Sequence, residues 1–422
     1  MHSPERRLER EMVSEADLES YAQKLYEAKQ EGKDKEFLES LKNVLTEEEL
    51  REVERRAKII EEREAVFARL EKLKETLAKA KEKKKEEIEK EKPKEEEEVE
   101  FVFGGCTSAE SSAAAPVAED LETLFLIEEG TTSKLFEEID PHPKYVFRID
   151  NFDPLDFTAD AIKAVELWPD VTRVATIGAD YTWGRDEIDG FLTVYKKLNP
   201  AAEVITQTWP PLFSKDFTDH ITTIMDAKPD LVVIALWGGD LVTFLTQATE
   251  HGLFDMAHAV SITGGEYIWK APGIADGILM DTRYYFLYPP WDKWSLNKTF
   301  NEEFKSKFPE SRGGIPGFNC NSSYVAIHAL KLAIEKAYAI TGGWPDTDDI
   351  ISALENLMVP SPGGYRYFRK EDHQMLGYAV VGLTKTVPEY PFPILDPIWP
   401  VVPEVMAPPP GVKWKEWVRS WP

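Results

Sequence analysis

The chain has 422 residues, of which 42% are hydrophobic, so it is long enough to form two domains with their own cores. Its formal net charge of −26 argues against nucleic acid as a partner. The first twenty residues contain no apolar run typical of a signal peptide, and no later stretch is long and apolar enough to span a membrane. The two cysteines, Cys106 and Cys320, lack the spacing of a zinc site and are too few for a disulfide framework, although one disulfide stays open.

Glu and Lys dominate the first hundred residues, which predicts a charged helical extension over residues 1–80 and a solvated linker over 81–99. Thr46 and Glu49 have the spacing of a capping box at the start of one helix. Four later apolar residues have the spacing of a coiled-coil seam, namely Val66, Leu70, Leu73 and Leu77. The pattern favours a spacer, and a coiled coil that binds a partner or drives self-association is the alternative.

From residue 100 onward, short apolar runs that end at polar or Gly residues alternate with segments of helical period. The clearest units are 172–198 and 229–253, each read as strand, loop and helix. This alternation predicts an α/β fold with mostly parallel sheets covered by helices. Ligands bind beyond the carboxyl ends of the strands in such sheets, so the loops at 180–186 and 237–240 are the first candidates for a functional site.

The last part of the chain is rich in proline. A strand is predicted at YAVVGL, and residues 389–417 are predicted to lack regular structure because proline interrupts helices and sheets. We expect this segment to follow the surface as an extended tail.

Several short segments follow one another in an order that resembles a known family. They are GGCTSAESSAAAPVAEDL, YVFRID, VATIGADYTWGRD, DFTDHITTIMDAKPDLVVIALWGGD, GGEYIW, TRYYF and SSYVAIHALKLAIEKA. Their order resembles the type 1 periplasmic binding proteins of the leucine, isoleucine and valine binding family, which are the solute receptors of ABC importers. The resemblance covers roughly residues 100–400, and it is specific for the family rather than for the ligand.

The resemblance implies a two-lobed, hinged α/β fold that closes on a ligand between the lobes. The first lobe would consist of 100–150 and 282–375, the second of 151–281 and 376–400, with a Pro-rich tail over 401–422. Members of this family usually carry two more strand–helix units before the first strand found here. The first lobe is therefore expected to be incomplete and to expose a sheet edge.

In the first lobe, the resemblance matches Ser108, with Thr107 beside it, to a hydroxyl that holds a ligand carboxylate. The alternative is that Ser108 caps the following helix. Thr131, with Thr132 beside it, matches a second such hydroxyl, and Thr132 could equally cap a turn. The two glutamates at 128–129 depart from the family pattern, because carboxylates beside an anion site repel the group it binds.

In the second lobe, Trp183 and Trp237 stand where the family places aromatic residues that close on a small ligand, and packing between lobes is the alternative. Glu266 matches the acid that pairs with the ammonium group of amino acid ligands, against the alternative of a surface carboxylate. Tyr284 and Tyr285 follow the second crossover between lobes, and they are expected to line the cleft.

These matches predict a solute-binding protein of an ABC-type importer that binds an amino acid or a related small polar molecule. No enzyme is predicted, because no nucleophile elbow, phosphate loop or metal-ligand spacing occurs, and no cofactor or metal is expected. The implied partner is an ABC transporter permease, and the implied location is periplasmic or extracellular, with cytoplasmic retention as the alternative. The competing functions are a coiled-coil interaction protein with a degenerate binding domain, and a ligand sensor with the same fold.

Overall fold

The structure is a computed structural model that describes residues 15–42, 44–47, 49–58, 60–61 and 99–422. The chain divides into two compact units, Met1–Glu98 and Val99–Pro422. The predicted coiled-coil seam and nearly all of the predicted linker lie outside the described residues.

The first unit is a group of short helices with a small apolar core. Helix α1 spans Glu15–Gln30, α2 spans Asp34–Leu41, and residues 49–58 are also helical. The predicted capping box forms, since the Thr46 N–H donates to Glu49 Oε2 at 2.6 Å and the Glu49 N–H donates to Thr46 Oγ1 at 3.2 Å. The core residues are Leu18, Ala22, Leu25, Leu41, Leu45, Val53, Ala57 and Ile60.

The second unit alternates strands and helices along the chain. Its strands are β1 (Phe101–Gly104), β2 (Leu124–Ile127), β3 (Val146–Arg148), β4 (Arg173–Gly178), β5 (Glu203–Thr208), β6 (Leu231–Ala235), β7 (His258–Ser261), β8 (Leu279–Thr282), β9 (Met358–Ser361), β10 (Gly364–Phe368), β11 (Met375–Leu376), β12 (Ala379–Lys385) and β13 (Ile394–Val401). Its helices are α3 (Ser108–Asp120), α4 (Asp153–Leu167), α5 (Thr182–Leu198), α6 (Thr218–Ala227), α7 (Gly238–Glu250), α8 (Leu253–Met256), α9 (Ser295–Lys307), α10 (Phe318–Thr341), α11 (Thr347–Leu354) and α12 (Trp414–Ser420).

A small parallel sheet in the order β1-β2-β3 forms the core of one half of this unit. Every residue of β2 and β3 is buried. Helices α10 and α11 and the antiparallel sheet β11-β10-β9 cover one face through a shared apolar cluster, and α3 covers the other. The near-continuous apolar runs of β2 and β3 are typical of strands that are buried on both faces.

A seven-stranded sheet in the order β13-β12-β8-β7-β6-β4-β5 forms the core of the other half. The strands from β4 to β8 run parallel, whereas β12 is antiparallel to both β8 and β13. Apolar clusters lie on both faces of the sheet, with α6 and α7 on one and α4, α5 and α12 on the other. The prediction of an α/β fold with mostly parallel sheets is confirmed. The residue ranges predicted for the two lobes stay a prediction.

The prediction that residues 389–417 lack regular structure is wrong. Residues Ile394–Val401 form β13, and the helix α12 begins at Trp414. Pro397 and Pro400 are tolerated because β13 is the last strand of its sheet, where one side of the backbone has no neighbour to donate to. Helix α12 forms because Trp414 packs against Phe157, with ring centroids 4.9 Å apart, and gains burial that the sequence did not indicate.

Strand β1 has one hydrogen-bonded neighbour, β2, among the described residues. Its apolar side chains Val102 and Phe103 are 44% and 45% exposed. Among the described residues β1 is thus an edge strand, and the expectation that the first lobe is incomplete stays a prediction. Such an edge presents unpaired backbone groups and favours association with other chains.

Candidate functional site

Loops at the carboxyl ends of the strands in both sheets meet in this unit. The loop after β2 contains Lys134, whose ammonium group lies 2.7 Å from a carboxylate oxygen of Asp186 on α5. The loop after β7 contains Glu266, which contacts Arg312 and the first residue of α10. These contacts join the half built on the small sheet to the half built on the large sheet.

The start of α3, with Thr107 and Ser108, contacts the loop after β2, where the other two predicted hydroxyl residues lie. Thr107 caps the helix through a capping box with Glu110, so the alternative in which Ser108 is the cap is wrong. Instead, Ser108 Oγ accepts a hydrogen bond from the Thr132 N–H at 3.3 Å, next to the buried Thr131. The Ser108 hydroxyl keeps its own proton to donate, and the first N–H groups of a helix have no acceptor within the helix. This corner is therefore rich in donors.

Glu129 turns inward from the loop after β2 and accepts a hydrogen bond from the side-chain amide of Asn319 on α10. Burial raises the pKa of Glu129 to about 7, an effect that Arg283 opposes and that Asp150 and Glu266 reinforce. The carboxyl is thus part protonated at neutral pH. The conflict expected between a glutamate and a bound anion is weaker for a protonated side chain, which can itself donate a hydrogen bond.

Glu266 is buried, so the alternative of a surface carboxylate is wrong. It accepts hydrogen bonds from Arg312 Nη1 and, at 3.0 Å, from the Phe318 N–H, while Arg312 Nη2 donates to the Glu266 carbonyl at 3.1 Å. Burial raises the pKa of Glu266, and Arg312 opposes that rise. The negative charge that the resemblance assigns to a ligand ammonium is already paired with a guanidinium.

The segment Ser311–Gly314 shapes this pairing. Arg312 adopts a left-handed backbone conformation with φ of +51°, followed by two glycines with positive φ. Its guanidinium carbon lies 4.9 Å from the centre of the Trp269 ring. Gly317 leaves room for the pair, because a Cβ there would collide with Glu266 and Arg312.

Aromatic residues surround the loops at the carboxyl edge of the large sheet. Trp183 is half-buried near the start of α5, with its ring 6.2 Å from the Tyr181 ring, and Trp237 is 36% exposed just before α7. Burial raises the pKa of Tyr181, and the Trp237 indole opposes that rise, which places these two side chains near each other. Tyr181 thus links the two predicted tryptophans into one aromatic group.

Tyr284 and Tyr285 are buried in the core on one face of the large sheet. The Tyr284 hydroxyl donates to Asn297 at 2.7 Å and accepts from Asn301 at 3.0 Å. The Tyr285 hydroxyl donates to the Leu395 carbonyl at 3.0 Å and accepts from its N–H at 2.7 Å. Core packing accounts for both residues, and their assignment to the ligand site stays a prediction.

A buried ionic network lies where the chain leaves β3. Asp150 pairs with Arg366 at 2.6 Å and accepts a hydrogen bond from Ser322 at 2.6 Å. Burial alone would raise the pKa of Asp150, but Arg366 and Arg283 outweigh it and lower the pKa. This network fixes the crossing between the two sheets.

The residues that sequence reasoning missed are Arg312, Tyr181 and Trp269. Tyr181 could have been found, because it stands beside Trp183 in the loop that the strand pattern marked. Arg312 follows no strand, and its one signal is the Gly-rich SRGG turn before a long helix. Its partner lies 46 residues earlier in the chain, so the pair depends on the tertiary fold.

The two cysteines, between which the sequence left a disulfide open, are both free thiols.

The fold and the loops between its two halves define a two-lobed α/β class of ligand-binding protein. The periplasmic binding protein family matches residues 91–382. The chain therefore belongs to the periplasmic binding protein family, and the resemblance drawn from the sequence is confirmed.

The curated relatives include two proteins named Leu/Ile/Val-binding protein homolog 4. The protein of Brucella melitensis is 25% identical over 205 residues, which are 48% of this chain and 46% of the relative. The protein of Brucella abortus is 26% identical over 208 residues, with the same two shares. The chain thus spans about half the length of the curated relatives it matches.

Solved structures of the same fold include an amino acid ABC transporter substrate-binding protein from Pseudomonas fluorescens, with a TM-score of 0.61 at 18% identity, covering 74% of this chain and 80% of that chain. A solute binding protein from Rhodopseudomonas palustris in complex with 3,4-dihydroxybenzoic acid has a TM-score of 0.60 at 22% identity, covering 72% of this chain and 79% of that chain. A leucine binding protein from Thermotoga maritima has a TM-score of 0.58 at 20% identity, covering 74% and 82%. The predicted two-lobed fold is confirmed.

Proposed function

We propose that the chain binds one small organic acid between its two lobes, as the solute-binding component of an ABC-type importer. Membership of the periplasmic binding protein family supports the solute-binding role. The observation that carries the proposal is the link between the corner rich in hydrogen-bond donors at the start of α3 and the group of aromatic side chains. The loop that contains Thr131 and Thr132 contacts Ser108 at this corner. The same loop is joined by the ion pair of Lys134 and Asp186 to α5, the helix that bears Trp183.

The acid group of the ligand fits the donor-rich corner at the start of α3. The Ser108 hydroxyl, the free N–H groups of the helix and its positive dipole end all favour a carboxylate. Thr107 is occupied as the helix cap, so its role is to hold this corner in shape. Glu129 contributes a hydrogen bond to the anion when it is protonated, which its pKa of about 7 allows near neutral pH.

The body of the ligand fits the aromatic group formed by Tyr181, Trp183 and Trp237. Flat apolar faces remove water from a bound ring or branched chain and strengthen the polar contacts nearby. Because Arg312 already pairs with Glu266, an acid without an ammonium group fits better than an amino acid. The R. palustris neighbour solved with 3,4-dihydroxybenzoic acid, and a second solved with benzoate, bind ligands of that kind.

The partner and the location follow from the same family. We propose a periplasmic protein that delivers its ligand to an ABC transporter permease. Among the described residues, no helix is both long and apolar enough to cross a membrane. The coiled-coil alternative gains no supporting observation, because its seam lies outside the described residues, and the prediction that the chain is not an enzyme stays a prediction.

Thermal unfolding of the full chain tests the proposal with four ligands: benzoate, 4-hydroxybenzoate, L-leucine and 4-methylpentanoate, which is leucine without its ammonium group. A ligand at a hundred times its Kd should add about 2.7 kcal/mol of stability. We expect the acids without an ammonium group to raise Tm more than L-leucine does. Trp237→Ala should remove this shift, and Trp344→Ala, at a tryptophan that is 70% exposed after α10, should keep it.

The proposed ligand class fails if L-leucine stabilises the protein more than 4-methylpentanoate does. The proposed site fails if Trp237→Ala and Trp344→Ala respond alike. A cooperative transition that none of the four ligands shifts would contradict binding of small organic acids.

A further inference from the structure

Three buried carboxylates on two neighbouring helices face one another beside the large sheet. Asp153 and Asp156 lie one turn apart on α4, and Glu187 lies in the second turn of α5. Each offers one oxygen, and these three oxygens lie within 4.8 Å of one another. The two helices share an apolar core that includes Phe157 and Ile188, so the three side chains are held on a rigid support.

Glu187 gives a separate sign that a ligand belongs here. It is fully buried and points into the group, and no described N–H or hydroxyl group donates a hydrogen bond to either of its carboxylate oxygens, so its polar neighbour is the Asp153 carboxyl. One oxygen of Asp153 and one of Asp156 are also without a partner in that part of the chain. A buried carboxylate that lacks both a counter-charge and hydrogen bonds costs several kcal/mol.

Positive charge from the protein falls short of balancing these groups. Arg283 pairs with Asp156, using its Nε at 3.0 Å and one Nη, and both of its contacts go to the same oxygen. Arg148 also acts on Asp153, but two further buried carboxyls, Asp160 and Asp281, lie close to the pair of Asp156 and Arg283, so acidic groups outnumber the arginines. A cation or bound protons must therefore offset the excess.

A cavity of about 130 Å³ adjoins the cluster. Asp153 forms part of its wall, together with Asp186 and Asp189, and Glu187 and Asp156 are not part of that wall. The cavity gives an ion a path to Asp153. Its wall also contains three lysines, each paired with an acid: Lys134 with Asp186, Lys413 with Glu138 and Lys415 with Asp189. The cavity also has room for water molecules, which complete the coordination of most protein-bound cations.

We propose that Asp153, Asp156 and Glu187 bind one hard divalent cation of the Ca²⁺ class. Ca²⁺ takes oxygen ligands at about 2.3–2.6 Å, so two ligands on opposite sides of the ion lie up to about 5 Å apart. The carboxylate oxygens all lie within 4.8 Å of one another, so one ion of this size can contact all three. Mg²⁺ needs ligands at about 2.0–2.1 Å in a near-ideal octahedron, a tighter group. The bound ion joins α4 to α5 near the crossing from β3.

Thermal unfolding of the full chain, stripped with EDTA and then titrated separately with CaCl₂ and MgCl₂, tests this site. We expect Ca²⁺ to raise Tm with saturation and Mg²⁺ to raise it less. Glu187→Gln should lose the shift, because the amide is isosteric but carries no charge. The matched control is Glu166→Gln, which changes an exposed acid on α4 and should keep the wild-type response.

Equilibrium dialysis with Ca²⁺ supplies a readout that does not depend on stability. Wild type and Glu166→Gln should bind one ion per chain, and Glu187→Gln and Asp153→Asn should bind at least tenfold more weakly. If stripped wild type neither binds Ca²⁺ nor shifts in Tm, the carboxyls hold protons and the proposal is overturned. Equal binding by wild type and Glu187→Gln overturns it as well, since the ion then lies elsewhere.

Discussion

At the scale of single residues, the proposed charge of the ligand depends on the pair of Glu266 and Arg312. The carboxylate is buried and is held by a guanidinium and by the Phe318 N–H, so its charge is satisfied within the protein. A free glutamate at this position would instead attract an ammonium group. The same residue type therefore supports opposite ligand preferences, depending on one neighbour.

Arg312→Ala should destabilise the protein by about 3 kcal/mol, because it leaves the buried Glu266 carboxylate without its counter-charge. This is the low end of the range for buried ion pairs, since Arg312 keeps 21% exposure of its side chain. The double variant Glu266→Gln with Arg312→Ala should recover part of the loss, because the unpaired charge is gone. Urea unfolding measures both, and a double variant less stable than Arg312→Ala alone would contradict the pairing.

Glu137 should make stability depend on pH. Burial raises its folded-state pKa to about 7, above the ordinary value of 4.5, although the Trp414 N–H donates to it at 2.8 Å. The folded state then binds more protons than the unfolded state between these two pKa values, so stability falls as pH rises from about 4.5 to about 7. Glu137→Gln removes this dependence, because the amide oxygen still accepts the bond but carries no charge.

Urea unfolding of wild type and Glu137→Gln at a series of pH values measures this difference. The stability of the variant relative to wild type should increase from pH 4.5 to pH 7 and then level off. A relative stability that stays constant, or that falls, across this window would contradict the assignment.

At the scale of elements, the start of α3 separates two roles that adjacent residues play. Thr107 closes the capping box with Glu110, and Ser108 accepts a hydrogen bond from the Thr132 N–H and is the proposed donor to the ligand. Thr107 and Ser108 follow β1, and Thr132 follows β2. Because β1 and β2 pair in parallel, their carboxyl ends bring these residues side by side. Helix capping thus holds the corner in shape, and the proposed ligand binding uses it.

Thr107→Ala should cost about 1 kcal/mol of stability, the usual loss for a removed N-cap. Ser108→Ala should weaken ligand binding more than Thr107→Ala does, because it removes a donor from the cleft. Chemical unfolding and titration of the best ligand measure the two effects on each variant. If Thr107→Ala weakens binding more than Ser108→Ala, the division of roles is wrong.

At the scale of the whole molecule, the sequence predicted the fold better than the site. The short apolar runs of β4 and β6 predict strands by themselves, and the hydrophobic periodicity of the segments after them predicts helices. The alternation of strands and helices could therefore be predicted from the sequence. Strand β13 was missed because its prolines argue against a strand unless its place at the sheet edge is known.

The site was less predictable because its key contacts join distant parts of the chain. Glu266 and Arg312 are 46 residues apart, and Lys134 and Asp186 are 52 apart. Periodicity places each residue on its element but does not say which elements meet. The group of Asp153, Asp156 and Glu187 was missed for the same reason, since one of its acids comes from a second helix.

Isothermal titration calorimetry of the full chain with 4-hydroxybenzoate tests most directly whether this protein binds a small organic acid between its lobes. The account predicts one saturable site per chain, retained in Trp344→Ala and lost in Trp237→Ala. It also predicts weaker binding as pH rises through about 7, because Glu129 loses the proton that it shares with a bound anion. Saturable binding that Trp237→Ala leaves unchanged, or no binding of this acid by folded protein, would contradict the account.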